Sequence, residues 1–437
     1  MNANKTNTSE TPMRFKAGAV DKLTYALQKF GDQQIHAILT FDGTFDELRL
    51  KKAFRMILDA EPGLGSKFVY HPKKPYWERR TDLDEIDYLT LVKVKDFQKQ
   101  LFDFIVTPCN PEVDLPIQLR ILREEKQDSL VIKTSHAVID GGGIQEFIAF
   151  LGLVYQELKV DQNYSLPINH GSRDLKQVLK RFNFFQKMFI FLKNVSSKPN
   201  WAFPWIGTKQ EKPNYILRRF PPEVFRKLKT FGKKFGAIIN DMILTVFYRA
   251  IFELIKPKPS NKLVTVVTIN LRSYLPNQRG ESLCNLSTAA YPEVSYIPNE
   301  DFDKTLVRVR DEMKFRKSSA PGIGPAVFIN NVFRMRFDKV VNSIRKRYLK
   351  DLKRNATHPV FTNVGLIRTE DFNFGDIKPF DGYLMTPIMK APGFIFGVMT
   401  FNENLSISSG FYEGSYDKAT FEKFFDLVEK ELKAIKG

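Results

Sequence analysis

His136 and Asp140 stand four residues apart in the run Thr134-Ser135-His136-Ala137-Val138-Ile139-Asp140-Gly141-Gly142-Gly143. A histidine exchanges a proton near neutral pH, which suits it to general-base work. An aspartate four residues on can hold nearby structure by its charge. The three glycines keep the site bare and permit positive φ or close approach by another element or a ligand. Each residue also has an ordinary reading. A lone histidine is commonly a satisfied core residue, Asp140 can simply cap a helix for about 1 kcal/mol, and Gly-Gly-Gly is loop composition. The remaining side chains narrow the chemistry. The five histidines, at 36, 71, 136, 170 and 358, are scattered, and neither Cys-x-x-Cys nor His-Glu-x-x-His occurs, so no metal site is expected. The absence of a Gly-x-Ser-x-Gly elbow argues against a hydrolase of that fold. Cys109 and Cys284 could be nucleophiles in principle, but without a supporting motif they read as small packed residues.

Two elements must position the pair. Leu130, Val131 and Ile132 form a short apolar run that reads as a buried strand, and Ile144 to Leu158 carries apolar residues at helical spacing. His136 and Asp140 therefore sit on a turn from strand to helix, at the mouth of a sheet. Ahead of them come a strand over Ile35–Phe41, an amphipathic helix from Asp46 to Asp59, and a strand from Leu115 to Leu122 that pairs across the charged loop Arg123–Asp128. Leu175 to Asn194 is basic and rich in phenylalanine. It reads either as a helix crossing between two lobes, the favoured reading, or as an interfacial helix touching lipid. Prolines at 199 and 204 end it as a linker. A second series of strands and helices follows from Asn214, including a buried strand over Leu263–Ile269, a helix to about Leu254, a hairpin around Asn402-Glu403-Asn404 and a terminal helix over Tyr416–Ile435. Arg334 to Arg354 holds nine Lys or Arg, most simply a solvated helix face. Strand–helix alternation in both halves implies two α/β lobes.

His136-x-x-x-Asp140-Gly141 resembles the HxxxDG signature of the CoA-dependent acyltransferase superfamily, which includes chloramphenicol acetyltransferase, condensation domains and alcohol acetyltransferases. Ser135 stands where many members have a first histidine. Gly236-Ala237-Ile238-Ile239-Asn240-Asp241 resembles a second-lobe helix of wax-ester synthases, and Phe361-Thr362-Asn363-Val364-Gly365 resembles the superfamily's Ser-Asn-x-Gly segment. Asp371-Phe372-Asn373-Phe374-Gly375 is a weaker likeness to the DFGWG motif of plant acyltransferases. The resemblance implies two chloramphenicol-acetyltransferase-like two-layer sandwich lobes in a V-shaped pseudo-dimer. It divides the chain into a lobe over 13–170, a crossover helix and linker over 171–213, and a lobe over 214–437. It implies acyl transfer from a thioester, acyl-CoA or an acyl carrier protein, to a hydroxyl or amine, with no bound cofactor. His136 becomes the general base, at the lobe interface on a tunnel open at both ends. Asp140 and Gly141 become structural, with Arg272 as the guanidinium that grips Asp140. Asn285, Ser287, Thr362 and Asn363 are candidates for oxyanion or substrate contact. The alternatives are an amide-forming condensation enzyme and a non-catalytic module that binds an acyl carrier or a partner enzyme.

Composition sets the frame. The 437 residues are 43% hydrophobic and 27% charged, a globular mixture. No apolar run reaches the roughly 18 residues of a membrane helix. Residues 1–12 lack an apolar signal core, and two cysteines make no disulfide framework, so the expected compartment is the cytoplasm. Lys plus Arg number 67 against 49 Asp plus Glu, a net charge of +18. Such a charge attracts anions: CoA phosphates, an acidic carrier protein, or an anionic membrane surface in peripheral contact. No nucleic-acid-binding signature appears, so nucleic acid is not an expected partner.

Overall fold

The computed structural model describes residues 13–193 and 198–435. The strand that leads to His136, Gln127–Ser135, lies in the middle of a five-stranded sheet. The sheet runs Pro379–Met385, Gln34–Phe41, Gln127–Ser135, Ile117–Glu124, Leu89–Lys93. Its apolar run is continuous because both faces are covered. Leu130 and Ile132 pack with the helices Glu47–Ala60 and Gly141–Val160, while Val131 faces the helix Phe97–Val106 through Leu101 and Phe104. The helix Glu47–Ala60 starts where Asp46 accepts the N–H of Arg49 at 3.0 Å, and it buries Leu50, Phe54, Ile57 and Leu58.

The second lobe is built on a larger sheet, ordered Ser287–Ala290, Val266–Asn270, Val360–Ile367, Ile395–Phe401, Asn404–Tyr412, Ile388–Met389, Gly31–Asp32, with Pro213–Phe220 also paired to Asn404–Tyr412. The helices Ile239–Ile255 and Lys418–Ala434 cover it through Phe247, Ile251, Phe424 and Phe425. Asp241 accepts the N–H of Ile238 at 3.1 Å, so part of the Asn-Asp segment works as a helix start.

Two short strands cross between the lobes. Pro379–Met385 pairs antiparallel with Gln34–Phe41 and completes the first lobe's sheet, and Gly31–Asp32 pairs with Ile388–Met389 in the second. A single cut at 213 therefore does not separate the two sheets. Asp381-Gly382 interrupts the pattern of the first crossing strand, and its pairing is set by the edge it meets rather than by its own alternation.

The crossover segment differs from the single helix expected over Leu175–Asn194. It forms a one-turn helix, Lys176–Leu179, and then Phe184–Lys193, with Asn194 outside the described residues. The break has a local cause. Asn183 Oδ1 accepts the N–H of Gln186 at 2.8 Å, and Gln186 Oε1 accepts the N–H of Asn183 at 2.9 Å. This reciprocal capping box begins a new helix at that point.

Candidate active site

His136 stands one residue past the end of its strand. Its N–H donates to Gln33 O at 2.7 Å, so the backbone stays tied to the neighbouring segment where the ladder stops. The ring is half-buried, and Nδ1 lies 3.2 Å from Asn285 Oδ1. The Asn285 amide has one sensible orientation. Its Nδ2 reaches Asp21 Oδ1 at 3.1 Å, His136 O at 3.0 Å and Ala137 O at 3.1 Å, all acceptors. Reversal would set an oxygen against three oxygens. Oδ1 therefore faces the ring and accepts a hydrogen from Nδ1, which leaves the lone pair on Nε2. That is the tautomer a base at Nε2 requires.

Asn285 is anchored in turn by Asp21, which sequence reading did not single out. Asp21 is fully buried and accepts from Gly18 N–H at 3.1 Å and Trp77 Nε1 at 2.9 Å, with Arg173 Nη2 at 3.5 Å. An acidic residue in the first turn of the helix Ala19–Leu27 already has a reason to be there, beside the positive end of the helix dipole, and that hides its second role.

Asp140 caps the helix Gly141–Val160 and also pairs with Arg272. Its Oδ1 accepts the N–H of Gly143 at 2.8 Å. Arg272 Nη1 lies 2.9 Å from Oδ1 and 3.2 Å from Oδ2. Leu286 N–H and Ser287 Oγ donate to Oδ2 at 2.7 and 2.9 Å. The sequence treats capping and pairing as alternatives. The structure satisfies both, because Arg272 is only 3% exposed and comes to the cap from the other lobe. Burial alone would raise the Asp140 carboxyl, but the Arg272 charge and the Gly143 and Leu286 N–H groups outweigh it and hold the group below its ordinary value. Arg272 Nη2 donates to Cys284 O at 2.8 Å, and Nε lies 3.1 Å from Glu146 Oε2 as an ion pair without hydrogen-bond alignment.

The glycines serve approach rather than positive φ, since none of the three adopts one. A Cβ on Gly142 would stand 2.9 Å from Arg272 Nη1, and one on Gly143 would stand 3.0 Å from Arg272 Nη2 and 2.4 Å from Ile139. Bare backbone lets the guanidinium reach the cap.

A cavity of about 260 Å³ opens beside these groups. His136, Asp140, Gly141, Ser287 and Thr362 are on its wall. Most of the remaining surface is apolar and comes from both lobes, including Leu27, Phe30, Leu384, Met385, Met389 and Val398. Thr362 shares a hydrogen bond with Thr268 Oγ1 at 2.9 Å. Asn363 and Asn285 are not on this wall. Asn363 accepts from Gly365 N–H at 2.9 Å and lies 3.4 Å from Asn240 Oδ1. The sequence cannot separate the four candidates, because facing the cavity or facing away depends on contacts between lobes. Cys109 and Cys284 are buried, and burial pushes both thiols up to about 12, the opposite of an activated nucleophile.

No protein-family model matches the sequence, and no curated protein matches it. Solved structures match over nearly the whole chain. The first condensation domain of the CDA synthetase aligns at TM-score 0.69 and 15% identity, covering 98% of each chain. The epimerization domain from the third module of tyrocidine synthetase B aligns at 0.68 and 13%, covering 98% of this chain and 97% of that one. The trichothecene 15-O-acetyltransferase from Fusarium sporotrichioides aligns at 0.69 and 11%, covering 97% and 95%. The chain has the condensation-domain fold. It is the two-lobed fold expected from the HxxxDG resemblance. Within this condensation-type fold, the turn from Ser135 to Gly143 lies at the contact between lobes, where Asn285 and Arg272 of the second meet His136 and Asp140 of the first.

Proposed function

We propose that the protein is an acyltransferase that moves an acyl group from a thioester, acyl-CoA or an acyl carrier protein, to a hydroxyl or amine. The observation that carries this reading is the imidazole of His136, tied through Nδ1 to Asn285 and set at the wall of an apolar cavity. Nε2 takes the proton from the acceptor as its oxygen or nitrogen attacks the thioester carbonyl. The carbonyl electron pair moves onto oxygen. Collapse of this tetrahedral species breaks the carbon–sulfur bond, and the departing thiolate recovers the proton from the imidazolium. Asn285 positions the ring throughout. Asp140 holds the turn and moves no proton, since both its oxygens are engaged by donors.

The oxyanion needs a donor. Ser287 and Thr362 offer hydroxyls on the wall. Gly141, also on the wall, begins a helix, where backbone N–H groups lack an intrahelical partner. The apolar lining supports a substrate with an apolar part, bound by exclusion of water from its surface.

The test uses the purified full chain with acyl-CoAs of increasing length, and with a loaded carrier protein, against panels of alcohols and amines. Release of free thiol that depends on the acceptor is expected. His136→Ala should lower turnover by about 10²–10⁴, the usual range for a general base, while the unfolding midpoint stays unchanged. Normal turnover in a folded His136→Ala protein refutes the reading, as does silence with every donor.

A further inference from the structure

The helix Phe184–Lys193 is attached to the protein by one side. Ile190 is buried in the cluster that includes Ile323 and Ala326 of the helix Ile323–Val332. Around the rest of the helix Phe184, Phe185, Met188, Phe189, Phe191 and Leu192 are exposed, Phe184 by 71% and Phe185 by 73%. Phe328, on the helix beneath, is exposed as well. Single surface hydrophobes are ordinary, but six large ones on a ten-residue helix form a patch. Removing apolar side chains from water is favourable, so a surface that covers them gains.

Charge decides among the surfaces that could cover it. Residues 175–193 hold five basic residues, Lys176, Lys180, Arg181, Lys187 and Lys193, and no acidic one. Lys180 pairs with Glu281 at 2.7 Å. A second copy of the chain would bring the same cations, on a molecule of net charge +18, against each other. An anionic bilayer presents the opposite charge next to an apolar interior.

We propose that the helix Phe184–Lys193 seats the protein on the surface of an anionic phospholipid bilayer. The apolar side chains enter the headgroup–acyl boundary, and Arg181 and Lys187 meet lipid phosphates. The helix lies in the plane. Ten residues rise about 15 Å, half of the ~30 Å hydrocarbon core. Among the described residues no helix is long and apolar enough to cross a membrane.

The test needs no substrate and stands apart from the acyltransferase reading. Full-length protein is sedimented with sucrose-loaded vesicles of phosphatidylcholine alone, or of equal parts phosphatidylcholine and phosphatidylglycerol. Binding to the anionic vesicles is expected at least about tenfold tighter, and weaker as salt rises. The triple variant Phe184→Ser/Phe185→Ser/Phe189→Ser should lose binding about tenfold or more, and Arg181→Glu/Lys187→Glu should lose the preference for anionic lipid. Both variants change side chains at the surface and should keep the parent's unfolding midpoint. If the triple variant does not fold, the charge variant and a blue shift of Phe189→Trp emission with anionic vesicles carry the test. Failure of the parent protein to sediment with anionic vesicles overturns the proposal. So does undiminished binding by the folded triple variant. A concentration-dependent dimer that the phenylalanine variant abolishes, with no vesicle binding by the parent, would assign the patch to self-association instead.

Discussion

Replacing Asp140 by asparagine keeps its shape and destroys its hydrogen bonding. Every fixed group around the carboxylate is a donor: Arg272 Nη1 on both oxygens, Gly143 N–H on Oδ1, Leu286 N–H on Oδ2. The amide nitrogen of asparagine must face one side or the other. On either side it opposes a buried backbone N–H, which then goes unsatisfied at a cost of about 1–3 kcal/mol. Arg272 also loses its closest countercharge. Breaking a buried pair costs about 3–5 kcal/mol, but Arg272 retains Glu146 at 3.1 Å and Cys284 O at 2.8 Å, which favours the low end. A destabilisation of about 3 kcal/mol is expected for Asp140→Asn, and a similar one for Arg272→Met. The double variant should lose about 4 kcal/mol rather than about 6, a coupling of about 2 kcal/mol. Equilibrium urea unfolding of the four proteins measures it, provided the slopes agree. The pH dependence supplies a second reading. The folded carboxyl is held below its ordinary value by the Arg272 charge, so its contribution is present above the unfolded pKa and lost as pH falls through the folded one. Asp140→Asn should therefore flatten the acid limb of the stability curve. Additivity within about 0.5 kcal/mol would refute the pairing as an energetic unit.

Three further expectations follow from the same geometry. Asn285→Leu removes the acceptor for Nδ1 and should lower kcat about 10²-fold, the cost of a misplaced reacting group, with little change in donor KM; an equal loss through KM alone would contradict the positioning role. Burial pushes Asp32 up to about 6 against opposing help from Gln34 and Lys133, so its contribution is present below the unfolded pKa and lost as pH rises through about 6. Asp32→Asn should remove that slope and gain up to about 3 kcal/mol at neutral pH, at about 1.4 kcal/mol per unit; a parallel pH profile in denaturant unfolding would reject it. With a net charge of +18, acyl-CoA binding should weaken as salt rises, because exposed charges are screened over about 10 Å at 0.1 M; calorimetry showing a Kd indifferent to salt would remove the electrostatic term.

Local pattern was enough to set out the elements around the site. Leu130 to Ile132 reads as buried strand and Ile144 to Leu158 as helix because apolar periodicity is a property of neighbours along the chain. The turn between them, with its histidine and aspartate, is legible for the same reason. So is the class of fold, once strands and helices alternate in both halves. The fate of each side chain at that turn was not. Asn285 and Ser287 are two residues apart, yet one orients the imidazole from behind and the other stands on the cavity wall. Asp21 lies in the first turn of a helix, where an acid is ordinary, and only the approach of Trp77 and Asn285 makes it an anchor. Pro379–Met385 carries little strand signal and joins the first lobe's sheet only because the edge of Gln34–Phe41 is there to receive it. Sequence determined the strand, turn and helix that carry His136 and Asp140, and which residues at that turn could do chemistry. Tertiary structure alone decided that Asp140 is both cap and ion-pair partner, because the guanidinium that completes it arrives from 132 residues away. Contacts of that separation leave no periodicity in the chain to read.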